Sequence, residues 1–166
     1  ININTSKVQI EKGDLDFISI EQACEYILRF PTVADKTFLI HIGDRTVGGL
    51  VSQDQFVGPW QVPVSDVGVT IKDHSSFQGE AMAIGERTPV AILNPSASGR
   101  LAVGEAITNI LSAAVENISD IKFSANWMSS IETDAQKQAL YETVKAVTLD
   151  LCSKLGLVIP VGKDSL

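Results

Sequence analysis

Glu105 and Asn109 stand four residues apart in the run "SGRLAVGEAITNILSAAVEN". On a helix, that spacing puts both side chains on one face, about one turn apart. A carboxylate and an amide oxygen so placed can share one hard divalent cation such as Mg2+, which takes oxygen ligands. The same polar face carries Leu101, Thr108, Ser112 and Glu116, while Val103, Ile107, Ile110, Leu111 and Ala114 form the stripe expected to face a core. A Glu/Asn pair on a polar helix face is equally the ordinary dress of a solvated surface. Spacing alone leaves both readings open. Gly104 beside them lowers helix propensity and gives room for a ligand or another backbone.

A second carboxylate, Asp66, closes the stretch "DQFVGPWQVPVSD". Phe56, Val57, Trp60, Val62 and Val64 make it too apolar for a solvated loop, and Pro59 and Pro63 exclude a central strand. A carboxylate at a loop-to-strand junction commonly accepts turn hydrogen bonds, so a ligand role does not follow from position alone. His41 alternates within an apolar run expected to be a strand, and is read as a packing residue. His74, in "KDHSS", is expected to be exposed. Cys24 and Cys152 fall in helical apolar patterns and are expected to be buried free thiols, which suits a reducing cytoplasm; two cysteines and two histidines far apart make no zinc pattern. "GLVIPVGKDS" lacks the spacing of a phosphate-binding loop.

The elements that must position these residues follow from caps and periods. Residues 1–16 are polar and irregular, a linker or edge; the domain is expected over 17–166. Ser19 and Gln22 form a capping box for a helix that Pro31 stops. "TFLIHI" (Thr37–Ile42) and "TVGGLV" (Thr46–Val51) flank "GDR" as a hairpin. "VGVTI", "EAMAI" and "PVAIL" are expected strands, followed by a helix from about Ala97 to Glu116 and the strand "IKFSANW". Thr133 or Asp134 caps a last helix with Leu140, Val144, Val147, Leu151 and Leu155 at spacings of three or four. Gly156 ends it, and "LVIP" follows as a strand. The fold class is α+β, a mostly antiparallel or mixed sheet with helices on one face. The strands are not each followed by a helix, which disfavours a doubly wound parallel sheet.

Hydrophobic residues make up 45 % and charged residues 20 % of the 166, a globular balance. The net charge of −7 argues against nucleic acid as partner, since affinity for a phosphate backbone needs a basic surplus. No apolar run approaches the roughly 20 residues of a membrane helix. The opening "ININTSKVQIEKGD" has no signal-peptide pattern, and the chain is read as a piece of a longer protein.

Taken in order, "FPTVADKTFLIHIGDRTVGGLVSQDQFVGPWQVPVSD", "GEAMAIGERTPVAIL", "LAVGEAITNI", "SANWM" and "GLVIPVGKDS" resemble formylglycinamide ribonucleotide amidotransferase (phosphoribosylformylglycinamidine synthase) in its long single-chain form. The resemblance covers about residues 20 to 166 and points to the second of two related domains of the aminoimidazole ribonucleotide synthetase N-terminal type. It departs from the family pattern at Ser65, where Ala is usual, at "LNPSAS", where "LDFAAS" is frequent, and after "SANWM", where a Gly-rich loop is replaced.

The resemblance implies an ATP-dependent, glutamine-using ligase of purine biosynthesis. In it the amide oxygen of formylglycinamide ribonucleotide is activated by phosphoryl transfer and displaced by ammonia from a separate glutaminase domain. It implies Mg2+ and ATP or ADP as cofactors, with Asp66, Glu105 and Asn109 binding magnesium attached to a nucleotide and Ser65 touching the nucleotide. It further implies that this set belongs to an auxiliary site that holds ADP structurally, shared with the first related domain. The isolated piece is expected to be inactive and to self-associate through its sheet. The competing reading is a scaffold whose sheet packs on the first related domain and binds nothing.

Overall fold

The computed structural model describes residues 17–43, 46 and 48–166; the linker expected over 1–16 lies outside the described residues. The first helix begins as its cap predicts. Gln22 N donates to Ser19 Oγ at 3.2 Å and Ser19 N to the Gln22 side chain at 3.1 Å, closing the capping box. Helix α1 (Ile20–Arg29) ends as Phe30, preceding Pro31, takes an extended conformation.

The expected hairpin over 37–51 does not form. Thr37–Ile42 is a short helix, α2, because the Asp35 side chain accepts from both the backbone N–H (3.0 Å) and the hydroxyl of Thr37, turning the chain. A run this short has no period to separate helix from strand. Asp44, Arg45 and Val47 of the expected turn lie outside the described residues. Strand β1 is Val51–Gln53; it pairs antiparallel with β2 (Val67–Ile71), which pairs antiparallel with β3 (Gly79–Ala83).

Between β1 and β2 the proline-bearing stretch folds back on itself. Phe56 bridges Val64, Val57 N donates to the Pro63 carbonyl at 2.9 Å, and Ser65 N to the Gln55 carbonyl at 2.7 Å. Pro63 serves here only as an acceptor, so its missing donor costs nothing. Gly58 and Gln61 turn the tip at positive φ, 77° and 50°. Phe56 enters the interior at 3 % exposure, whereas Trp60 (86 %) and Val62 (71 %) stand in solvent. His41, expected in a strand, lies on α2 and stacks on the Phe56 ring with centroids 5.1 Å apart.

"PVAIL", expected as a strand, is a 3-10 turn over Thr88–Ile92. Pro89 opens it, its fixed φ already helical, and Leu93 N and Asn94 N donate to the Val90 carbonyl. Asn94 Oδ1 then accepts from Ala97 N at 2.9 Å, capping α3 (Pro95–Ile110) with Pro95 at its first position. Helix α3 ends at Ile110, short of the expected Glu116. Leu111 and Ala114, expected on the core stripe, therefore leave the helical face and are exposed.

Strand β4 (Lys122–Met128) leads to α4 (Asp134–Lys145), capped by Thr133 with Gln136 as its capping-box partner. The helix continues through a wide π-type segment, Ala146–Cys152, and a last turn, Ser153–Leu155, which Gly156 closes at φ 68°. Strand β5 (Val158–Ser165) returns parallel to β4, from Lys122 opposite Val158 to Met128 opposite Ser165. The strands thus form two sheets rather than one, β1-β2-β3 antiparallel and β4-β5 parallel.

The core joins Val103, Ile121, Val147, Cys152 and Leu157, with Ile107, Ile110, Phe123, Trp127 and Ile159 packed against it. Val147 and Cys152 are five apart, a spacing that the i→i+5 geometry of the π segment brings to one face. Helix α3 and the π segment cover the Phe123–Trp127–Ile159 side of β4-β5, leaving Ser124, Asn126 and Met128 exposed on the other. Cys152 is buried as expected; Cys24 is not. It lies on α1, where no residue is buried. No described helix is long and apolar enough to cross a membrane.

Candidate functional site

Beyond β3 the chain passes over α3 at contact distance. A Cβ on Gly85 would lie 2.0 Å from the Ala102 carbonyl oxygen and 2.5 Å from Ala106 N, so glycine alone lets backbone rest on the helix here. Gly104, which the sequence offered for a close approach, has nothing within 4 Å of such a Cβ. The tight passage is at Gly85 instead.

That passage decides what the Glu105–Asn109 face does. Asn109 Nδ2 donates to the Ile84 carbonyl at 3.0 Å, and Glu105 Oε2 accepts from Glu86 N at 2.8 Å. The two side chains grip the backbone on either side of Gly85. Arg87 joins them: its Nη1 lies 2.7 Å from Glu105 Oε2 and donates to the Glu86 carbonyl at 2.7 Å. Ser98 Oγ holds the Arg87 carbonyl at 2.6 Å. The Glu105 side chain is 25 % exposed and that of Arg87 46 %.

Ser65 and Asp66 enter from the neighbouring strand. Ser65 Oγ accepts from Gln53 Nε2 at 2.6 Å and donates to the Val67 carbonyl at 3.0 Å, which fixes the entry to β2. Asp66 is exposed, immediately ahead of Val67. Val67 pairs with Ala83, and Ala83 directly precedes Ile84, the residue Asn109 holds. The elements bearing the three predicted ligands therefore meet at one end of the antiparallel sheet. No hydrogen bond or ion pair links Asp66 to Glu105 or Asn109 among the described residues, and no three His, Cys, Asp or Glu side chains there gather as a metal-holding group; the predicted set has only two acids.

The donor chemistry fits a hard cation. With Nδ2 engaged, Asn109 keeps Oδ1 as an acceptor, and no described donor reaches it or Glu105 Oε1. Carboxylate and amide oxygens suit magnesium. Glu105 already faces one positive group, the Arg87 guanidinium.

A separate cleft of about 1150 Å³ runs between β3 and β4 over α3, with Glu86 and Arg87 at its edge and Phe123, Asn126 and Trp127 along its wall. Asp66, Glu105 and Asn109 do not line it. The "GKDS" segment is an extended part of β5: Lys163 Nζ donates to the Asp164 carbonyl and Ser165 Oγ at 2.9 and 2.7 Å, and Ser165 Oγ to Asn126 Oδ1 at 3.2 Å.

Residues 35–166 match the family model for the FGAR-AT PurM_N-like domain. The chain belongs to that family. The match takes in α2 to β5 and all of Ser65, Asp66, Glu105 and Asn109, while α1 precedes it. The FGAR-AT PurM_N-like assignment makes this a domain type of a purine-biosynthesis enzyme. Within it, sequence reasoning reached Glu105 and Asn109 but missed Gly85 and Arg87. "GEAMAIGERTPVAIL" holds both, yet nothing local says that a glycine twenty positions before Glu105 rests on its helix.

Proposed function

We propose that the chain contributes part of a magnesium–nucleotide site to the ligase that converts formylglycinamide ribonucleotide and glutamine-derived ammonia to the amidine, using ATP in the cytoplasm. Asp66, Glu105 and Asn109 are the magnesium ligands, and Ser65 touches the nucleotide, ATP or ADP. The supporting observation is the shared anchoring of Glu105 and Asn109 on residues 84–86, directly beyond the strand position that pairs with the neighbour of Asp66.

Bound magnesium supplies neutralisation of the phosphate charge. The chain's own part is to hold oxygen donors in place. Ser65 fixes the strand entry that carries Asp66, and the Glu86 N–H orients the Glu105 carboxylate. Held donors lose less freedom on binding than mobile ones. The remaining partners are the first related domain, which shares the nucleotide, and the glutaminase domain that makes ammonia.

The test is nucleotide retention by the purified full enzyme. Asp66→Asn is expected to copurify with much less nucleotide than the wild type; unchanged content in that variant contradicts the proposal. A scaffold reading draws on the exposed Met82, Ile84 and Met128 on and beside the strands, side chains suited to packing on a related domain. It predicts full nucleotide content in the same variant, so one measurement separates the two.

A further inference from the structure

We propose that Arg87 is a resident counterion of this site, pairing with the Glu105 carboxylate until a divalent cation displaces it. The inference rests on Glu105 being a metal ligand and adds how the carboxylate is managed when no metal is bound. Arg87 Nη1 and Glu86 N meet the same atom, Glu105 Oε2, at 2.7 and 2.8 Å. They differ in what holds them. The Glu86 N–H is backbone, fixed where Gly85 rests on α3. The guanidinium is the end of a long side chain, 46 % exposed. Its Nη1 also donates to the Glu86 carbonyl at 2.7 Å, a bond that water can replace at so exposed a group. The residue's own backbone is tied separately through Ser98 Oγ to the Arg87 carbonyl.

The side chain can therefore leave without disturbing the chain path. The carboxylate keeps its orientation through the Glu86 N–H when it does. Arg87 also borders the large cleft, so open volume lies beside it to receive the departing group. Magnitudes favour exchange. An ion pair this exposed contributes little, whereas a divalent ion brings twice the charge of a guanidinium and takes up Asn109 Oδ1 and a second carboxylate as well. Without Arg87, the Glu105 carboxylate would lose its positive neighbour at 2.7 Å.

The test uses Mn2+ binding to the full protein, counted by EPR, in wild type, Arg87→Met, Glu105→Gln and the exposed control Arg100→Met. Removing a competing cation predicts Mn2+ binding about two- to fivefold tighter in Arg87→Met, with Arg100→Met unchanged and Glu105→Gln weakened. Equal or weaker binding in Arg87→Met overturns the inference and makes Arg87 a structural support. Unaltered binding in Glu105→Gln, or none in the wild type, overturns the metal reading itself and the inference with it. Should Arg87→Met fail to fold, guanidinium ¹⁵N NMR of the wild type decides. Mg2+ is expected to release the Arg87 group from hindered to free rotation, and a guanidinium that stays hindered at saturating Mg2+ overturns the inference.

Discussion

The backbone at Gly85 and the carbonyl of Ala102 approach so closely that a Cβ on Gly85 would sit 2.0 Å from the Ala102 oxygen. Neither atom can swing aside, since both belong to main chain. This one contact sets β3 on α3, and through it presents the Ile84 carbonyl to Asn109 and the Glu86 N–H to Glu105.

Two alanine substitutions on this helix contact should therefore act in opposite directions. Gly85→Ala forces strand and helix apart and is expected to lower stability by about 1–3 kcal/mol, the usual cost of overpacking. Gly104→Ala meets nothing within 4 Å and removes a glycine from a helix interior, so it should raise stability by up to about 1 kcal/mol. Urea midpoints with unchanged m-values check both. A neutral Gly85→Ala would mean the contact does not position the site.

Much of this framework is legible in the sequence, and the boundary is physical. Ser19–Gln22 and Thr133–Gln136 announce their helices because a capping box is local, complete within four residues. "TFLIHI" and "PVAIL" mislead because both are short apolar runs whose fate is set at their start, by Asp35 just ahead of the first and by Pro89 at the head of the second. The Glu105–Asn109 pair is visible from helical spacing, but its tethering to residues 84–86 is a long-range contact with no period to betray it. The π segment escapes for a related reason: heptad-like recurrence of Val144, Val147 and Leu151 suits a regular helix, while burial follows Val147 and Cys152.

The two thiols should differ sharply. Cys24 is exposed on α1, whereas Cys152 is buried, and burial pushes its thiol above the ordinary value of 9.0. One thiol per chain is expected to react promptly with a disulfide reagent at pH 8, the second only on unfolding. With a raised folded pKa, the contribution of Cys152 to stability is complete below 9.0 and is lost as pH rises through the folded value. Equal labelling rates for Cys24→Ser and Cys152→Ser would contradict this arrangement.

Asp73 gives the acid counterpart. Its carboxylate accepts from the Ser75 N–H at 2.8 Å, the Ser75 hydroxyl at 2.9 Å and the Ser76 N–H at 2.7 Å, and these bonds hold its pKa below the ordinary 3.8. A depressed folded pKa means the loop's stabilisation is present above 3.8 and disappears as pH falls through the lower folded value. Amide exchange at Ser75 and Ser76 should be slow above pH 4 relative to the Asp73→Ala variant. The two proteins should converge only in stronger acid; a difference that persists there would contradict the carboxylate as its source.

The central claim, that Asp66, Glu105 and Asn109 together hold a nucleotide-bound magnesium ion, is tested most directly by calorimetric titration of ADP into the nucleotide-stripped full enzyme, with and without Mg2+. The account predicts binding that requires Mg2+ and falls at least tenfold in each of Asp66→Asn, Glu105→Gln and Asn109→Ala. Mg2+-independent binding, or binding that any of these substitutions leaves at wild-type strength, would contradict it.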